Sequence, residues 1–250
     1  MSEATWAIEA KALSKRYDDL TAVDRLDLQI APGEVFCLLG ANGAGKTTTI
    51  NLLLGFHQPD SGSALIAGID VAEDPEAARR KLAYLPESVA LYGKLTGIEN
   101  LRFFDRLAGF SRDSEELQSL LEAAGLPRES HDRRLASYSK GMRQKVGIAI
   151  ALAKGAQALL LDEPLSGLDP SAANELGNQI ERLRQDRCGV LMATHDIFRA
   201  KEVGDRIGIM VRGRLVATLA SSELAAKEIE TLYLQHLNES DHLVAGSPRS

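Results

Sequence analysis

Cysteine is scarce in this chain, with two residues, Cys37 and Cys188, among 250. Each lies in an apolar run that reads as a core strand, and neither has a neighbour at metal-ligand spacing. That argues against a disulfide framework or a cysteine metal centre, and predicts two buried, reduced thiols in a cytoplasmic protein. A basic excess is also missing. With 29 Lys+Arg against 35 Asp+Glu the formal net charge is -6, so no nucleic-acid partner is expected. No apolar run reaches the ~18 residues of a membrane span. The start, Met1-Ser2-Glu3-Ala4-Thr5-Trp6-Ala7, has no basic segment leading into an apolar one and does not read as a secretory signal. Any membrane role must therefore come through a partner. Internal repeats, low-complexity tracts and heptad runs are absent too.

What is present is an alternation of strands and helices. Apolar residues make up 44% of the chain, enough for a sizeable core. Residues 8–39 read as β-rich, with Val23, Leu26, Leu28 and Ile30 half-alternating, and Val35–Leu39 as a fully buried strand. Thr47–Leu54 reads as a helix closed by Gly55, and Ser63–Val71 as a strand pair around Gly68. Pro75 opens a helix, and residues 83–86 form a short strand ended by proline. From about 88 to 154 the character turns helical, with Ile98, Leu101, Phe104 and Leu107 or Ala108 on one face, and with helices at 113–124 and 139–153. Strands then return at 158–161 and 189–193, separated by a helix at 171–184. A hairpin turns at Arg212-Gly213-Arg214, and a last helix covers 221–237. The fold class predicted is α/β, a nucleotide-binding core at 1–87 and 155–238 interrupted by an all-helical insertion at 88–154, with a frayed tail at 239–250.

Gly40-Ala41-Asn42-Gly43-Ala44-Gly45-Lys46-Thr47 satisfies G-x-x-x-x-G-K-[ST] at every fixed position. The glycines let the backbone fold so that several N–H groups point at one anion, and the following helix adds the positive end of its dipole. Lys46 supplies a cation for the β- and γ-phosphates, and Thr47 a hydroxyl for Mg²⁺. The loop and Thr48 are the candidate nucleotide contacts. An apolar strand before it and a helix after it are the context this motif needs. Alone, the motif predicts binding of a nucleoside triphosphate without specifying the base or the purpose.

Leu159-Leu160-Leu161-Asp162-Glu163 is an apolar strand ending in two acids. A strand ending at the mouth of a parallel sheet delivers such acids beside the phosphate loop. Asp162 would hold Mg²⁺, and Glu163 would polarise the attacking water as general base. By itself the pattern also fits a strand end with solvated acids. Tyr17 alone fits either ring stacking or core packing, and a lone histidine after a strand, such as His195, is more often structural.

Taken in order, these residues resemble the ATP-binding-cassette ATPases, and the resemblance covers about residues 8–237. Tyr138-Ser139-Lys140-Gly141-Met142 is similar to that family's L-S-G-G-Q signature, matching at Ser139 and Gly141. Ser166-Gly167-Leu168-Asp169 resembles the loop after the acidic strand, His195 the switch histidine, and Tyr17 the aromatic that stacks on adenine. The resemblance implies a P-loop core with an N-terminal antiparallel β subdomain, and Mg²⁺-dependent hydrolysis of ATP. It also implies a dimer of two copies, in which Ser139 and Gly141 face the γ-phosphate held by the other chain. His195 would hydrogen-bond the γ-phosphate and orient the water.

The chain departs from the pattern at several positions. Tyr138 and Lys140 stand where Leu and Gly are usual, Met142 replaces Gln, and Ala41 replaces a common Pro. Glu87 stands where many relatives carry Gln, at a position that reaches the metal and the lytic water, so a carboxylate there bears on metal affinity or coupling. The Tyr84-Leu85-Pro86-Glu87 and Tyr138–Lys145 segments resemble the branch powering drug, lipid, polysaccharide or copper-maturation exporters through a small permease. A cytoplasmic, peripheral membrane location follows from that resemblance. The apolar run Val89, Ala90, Leu91, Tyr92 and Leu95, with the helix from 97 to 108, is the expected permease dock, though core packing accounts for the run equally well. A soluble cassette ATPase of translation or repair is the alternative, as is an ATP-sensing module. One cassette, unclustered cysteines and intact Glu163 and His195 weigh against these two.

Overall fold

The computed structural model describes residues 5–223 and 225–245. Its strands are β1 (Ile8–Tyr17), β2 (Leu20–Ile30), β3 (Val35–Leu39), β4 (Ser61–Ile66), β5 (Ile69–Asp70), β6 (Leu82–Leu85), β7 (Ala158–Asp162), β8 (Gly189–Thr194), β9 (Arg206–Val211) and β10 (Arg214–Ala220). Its α-helices are α1 (Lys46–Leu53), α2 (Pro75–Lys81), α3 (Gly97–Leu107), α4 (Ser114–Ala123), α5 (Lys140–Lys154), α6 (Pro170–Gln185), α7 (Ile197–Val203) and α8 (Ala226–Ala245).

Two sheets form. A four-stranded antiparallel sheet runs β2-β1-β4-β5, and a six-stranded sheet runs β10-β9-β3-β8-β7-β6. In the larger sheet β9, β3, β8, β7 and β6 pair in parallel, and β10 closes the edge antiparallel. Parallel strands buried on both faces read as apolar runs, as β3 does throughout and β8 does up to Thr194. Alternate residues then serve different cores. Val35, Cys37 and Leu39 join Leu159, Leu161, Val190 and Met192 under α5 and α6. Phe36 and Leu38 join Ala158, Leu160 and Leu191 on the other face, against Ile8, Leu26 and Ile50 of β1, β2 and α1. Each large apolar side chain buried this way contributes about 1.5–3 kcal/mol.

Register places the site. Leu39 pairs with Thr194 and with Ile209, Asp162 with Ala193, and Leu85 with Leu161. The loops after β3, β6, β7, β8 and β9 therefore leave one edge of one sheet, the edge where ligands of open α/β sheets bind. The helices α3, α4 and α5 lie between β6 and β7 in the chain. Both α3 and α4 start at capping boxes, Thr96 with Glu99 and Asp113 with Glu116.

Three expectations change. Residues 86–96 form no helix; Asn100, buried in α3, accepts from Tyr92 N–H (2.9 Å) and donates to the Tyr92 and Thr96 carbonyls (3.1 and 2.9 Å), holding them as an ordered loop. The short α7, capped by Asp196, was not expected, because seven residues give too little periodicity to read. The last helix starts at Ala226 and runs to Ala245, through the segment expected to fray from 239. The rest of that tail, 246–250, lies outside the described residues.

Cys37 and Cys188 are free and buried. Burial, with Asp205 nearby, pushes the Cys37 thiol far above its usual range. Burial, with Asp186 nearby, pushes Cys188 up to about 12.

Candidate active site

Between β3 and α1 the chain wraps into a tight loop in which Gly43 and Gly45 take positive φ, and Gly45 is demanded by its neighbours as well. Gly45 sits at φ 109°, and a Cβ there would collide with the Ala22 carbonyl. Gly213 N–H donates to the Ala44 carbonyl at 2.8 Å, so the β9–β10 turn clamps the loop from above. Gly40 N–H donates to Thr194 O at 3.1 Å, joining the loop to β8.

Lys46 is buried, and its ammonium folds back over the loop. Nζ donates to the Gly40 and Ala41 carbonyls at 2.6 and 3.2 Å and lies 3.6 Å from Glu163 Oε1. Asp162 accepts from Thr47 Oγ1 at 3.2 Å. Burial holds the Asp162 carboxyl above the usual carboxylate range; the Thr47 hydroxyl and Lys46 oppose the shift, and Glu163 and Glu87 add to it.

Glu163 sits in the left-handed region at φ 48°, where a non-glycine residue is strained. Its N–H is tied to the Ala193 carbonyl at 2.9 Å, and the turn swings its carboxylate back over the loop. Thr194 Oγ1 donates to Glu163 Oε2 at 3.3 Å, and His195 Nδ1 lies 2.9 Å from Oε1. A carboxylate only accepts, so that contact puts a proton on Nδ1 and leaves Nε2 facing outward.

Tyr17, Asn42, Gly43, Gly45, Lys46, Thr47, Thr48, Glu87, Asp162 and Glu163 all border one cleft of about 640 Å³. Gly40 and Ala44 lie buried beneath it. Tyr17 is exposed, with His57 edge-on at 5.8 Å; its ring stands at the cleft mouth and not in the core. Leu20, Thr21, Ala22 and Arg212 also line the cleft. The sequence reading missed them; only the hairpin turn containing Arg212 was flagged, as a turn and not as a site.

Ser139 and Gly141 are not brought to this cleft. Ser139 is exposed and caps α5, accepting from Met142 N–H at 3.2 Å. Tyr138 turns inward, and its hydroxyl donates to the Ser130 carbonyl. A Cβ at Gly97 would collide with that hydroxyl, so the tyrosine and the start of α3 fit one another. Glu87 is exposed and its carboxylate lies 3.7 Å from Lys140 Nζ.

The cleft offers oxygen donors, Thr47, Asp162 and Glu87, and no cluster of three His, Cys, Asp or Glu suited to a metal was found among the described residues. That set fits Mg²⁺, which takes one or two protein ligands and completes its shell with phosphate and water. A carboxylate made hard to ionise, beside a hydroxyl, is a place where a cation is welcome.

A family model described as ABC transporter matches residues 23–166. The daunorubicin/doxorubicin resistance ATP-binding protein of Streptomyces peucetius is 37% identical over 225 residues, 89% of this chain and 68% of that protein. A solved ATP-binding subunit of an ABC transporter superposes with a TM-score of 0.80 at 30% identity, covering 91% of this chain and 99% of that one. A dimeric ATP-binding cassette in a post-hydrolysis state, bound to ADP and Pi, superposes at 0.76 with 25% identity, covering 86% and 98%.

Proposed function

This chain belongs to the ABC transporter family as an ATP-binding subunit, and from that premise we propose that two copies clamp two ATP molecules and drive a separate transmembrane permease from the cytoplasmic face. Tyr17 stacks on the adenine, the 40–48 loop holds the phosphates, and Ser139 and Gly141 of each copy meet the γ-phosphate bound by the other. Thr47, Asp162 and Glu87 would hold Mg²⁺, which when bound offsets charge on the β- and γ-phosphates.

The observation that carries this reading is the convergence on one carboxylate: Lys46 Nζ 3.6 Å and His195 Nδ1 2.9 Å from Glu163 Oε1. Arriving phosphate draws Lys46 away from Glu163 and leaves the carboxylate free to take a proton from water. The water oxygen then bonds to the γ-phosphorus, the bridging P–O bond breaks, and ADP leaves with the electron pair. His195 keeps Glu163 aimed through Nδ1–H; a hydrogen bond to the γ-phosphate requires a second N–H, at Nε2, because phosphate oxygens only accept.

Glu163→Gln keeps the shape and removes the base. Phosphate release should fall by ~10²–10⁴-fold while ATP still binds. Turnover within about threefold of the parent, far below that range, would overturn the assignment.

The permease is proposed to dock on residues 87–96 and α3. Val89 and Leu91 pack against the core, so the anchor reduces to Tyr92 and Phe103. Both rings are exposed and meet edge-to-face at 4.9 Å, a fixed aromatic ledge of the kind an amphipathic helix recognises.

A further inference from the structure

Two positions that depart from the family pattern meet in space. Glu87 lies in the loop leaving β6, and Lys140 is the first residue of α5. Lys140 Nζ lies 3.7 Å from Glu87 Oε1 and donates to the Ser166 carbonyl at 2.7 Å. One ammonium thus joins three segments: the loop after β6, the first turn of α5, and the loop between β7 and α6. One turn further along α5, Gln144 donates to the Pro164 carbonyl. The helix that carries Ser139 at its cap therefore grips, at two points, the loop that follows Glu163.

Each charge is awkward alone. Glu87 borders the same cleft as Asp162 and Glu163 and adds a third carboxylate where a triphosphate must enter. Lys140 sits in the first turn of a helix, against the positive end of its dipole, where a cation is disfavoured. Together each removes the other's difficulty. With Gln and Gly at these positions neither charge would exist.

We propose that Glu87 and Lys140 act as one linked pair, Lys140 being a positioning residue that sets how far the Glu87 carboxylate is available to the metal–phosphate cleft and so ties that cleft to the start of α5. Metal and Lys140 compete for the same carboxylate. Filling the cleft loosens α5 from the loop after β6, and freeing α5 strengthens the hold on metal. This deepens the sandwich reading above and rests on it for its consequence, though not for the pair itself.

The test is a double-mutant cycle in the Glu163→Gln chain: Glu87→Gln, Lys140→Gly and the two combined, with Lys140→Arg as the conservative control. Two quantities are read, the Mg²⁺ concentration at half-maximal binding of a fluorescent ATP analogue, measured on dilute single chains, and ATP-driven dimerisation by light scattering. Lys140→Gly alone should lower the Mg²⁺ midpoint, because Glu87 loses its competitor, and Glu87→Gln alone should raise it. The cycle should be non-additive by about fivefold or more, the range expected of residues in contact. Lys140→Arg should keep the parent midpoint. Glu87 is exposed and Lys140 partly so, and ion pairs near the surface add little to stability, so thermal midpoints should stay within about 3 °C of one another. Independent effects, or a coupling seen equally in thermal stability, would overturn the proposal. A parent that binds ATP but never dimerises would sink the sandwich reading instead, leaving the Mg²⁺ cycle to judge the pair.

Discussion

Asp162 shows how a single carboxyl can be kept at some cost to the fold. Burial raises its proton affinity above that of an ordinary aspartate. A carboxyl whose folded value is raised favours folding fully below about 3.9, the unfolded value, and that contribution is lost as pH rises through the folded value. At neutral pH that charge is therefore a liability in the nucleotide-free chain. Asp162→Asn should raise the thermal midpoint of the nucleotide-free chain at pH 7, and the gain should shrink and vanish as pH falls toward 4, as followed by calorimetry across pH. A variant equal to or less stable than the parent at pH 7 would refute this account. The same variant should lose the stabilisation that Mg²⁺ and ATP confer on the parent. Much of the site at this level could be read from sequence, because Gly40–Thr47 and Asp162-Glu163 declare their chemistry by type and spacing. The contacts of Glu87 could not. Glu87 and Lys140 are 53 positions apart in the chain (140 − 87), and no local pattern pairs them.

Among the elements, the strands of the larger sheet were the easiest to anticipate. β3, β7 and β8 are short apolar runs bounded by glycine, proline or acid, and burial on both faces leaves them no alternative composition. The segment after β6 was the hardest. Its apolar residues suggested either core packing or a dock, and they divide between the two: Val89 and Leu91 pack inward, while Tyr92 remains half exposed. Asn100 decides the matter from a distance by capturing the Tyr92 backbone, which no periodicity reveals. If α3 and its preceding loop form the dock, Tyr92→Cys should crosslink to cytoplasmic loops of the permease in native membranes. A control on α8 belongs at Leu234, which is half exposed, since Ile229 is fully buried and a thiol there would be unreachable. Crosslinking from Leu234→Cys with none from Tyr92→Cys would move the dock to the C-terminal helix.

For the molecule as a whole, the site is divided. The cleft gathers Lys46, Thr47, Asp162 and Glu163, with His195 held against Glu163, while Ser139 stands exposed at a helix end away from it, its hydroxyl capping α5. A single copy does not bring the two together; on the proposed sandwich, nucleotide forms part of the interface, and mass action would make association depend on ATP. The Glu163→Gln chain should scatter as a monomer without nucleotide and as a dimer with ATP and Mg²⁺. A chain that stays monomeric at ATP concentrations saturating the cleft would count against the sandwich, and tethering to a permease, which raises effective concentration, would be the next condition to test.

The two thiols have a practical consequence for such measurements. Cys37 and Cys188 are both buried, and both hold their protons more tightly than an ordinary cysteine. Alkylating reagents attack thiolate that solvent can reach, and here there is almost none. The unmodified protein is therefore a silent background for maleimide dyes and spin labels. One cysteine placed on the α5 rim and one beside the phosphate loop would let the opening and closing of the pair be followed as a distance, with the native core left intact.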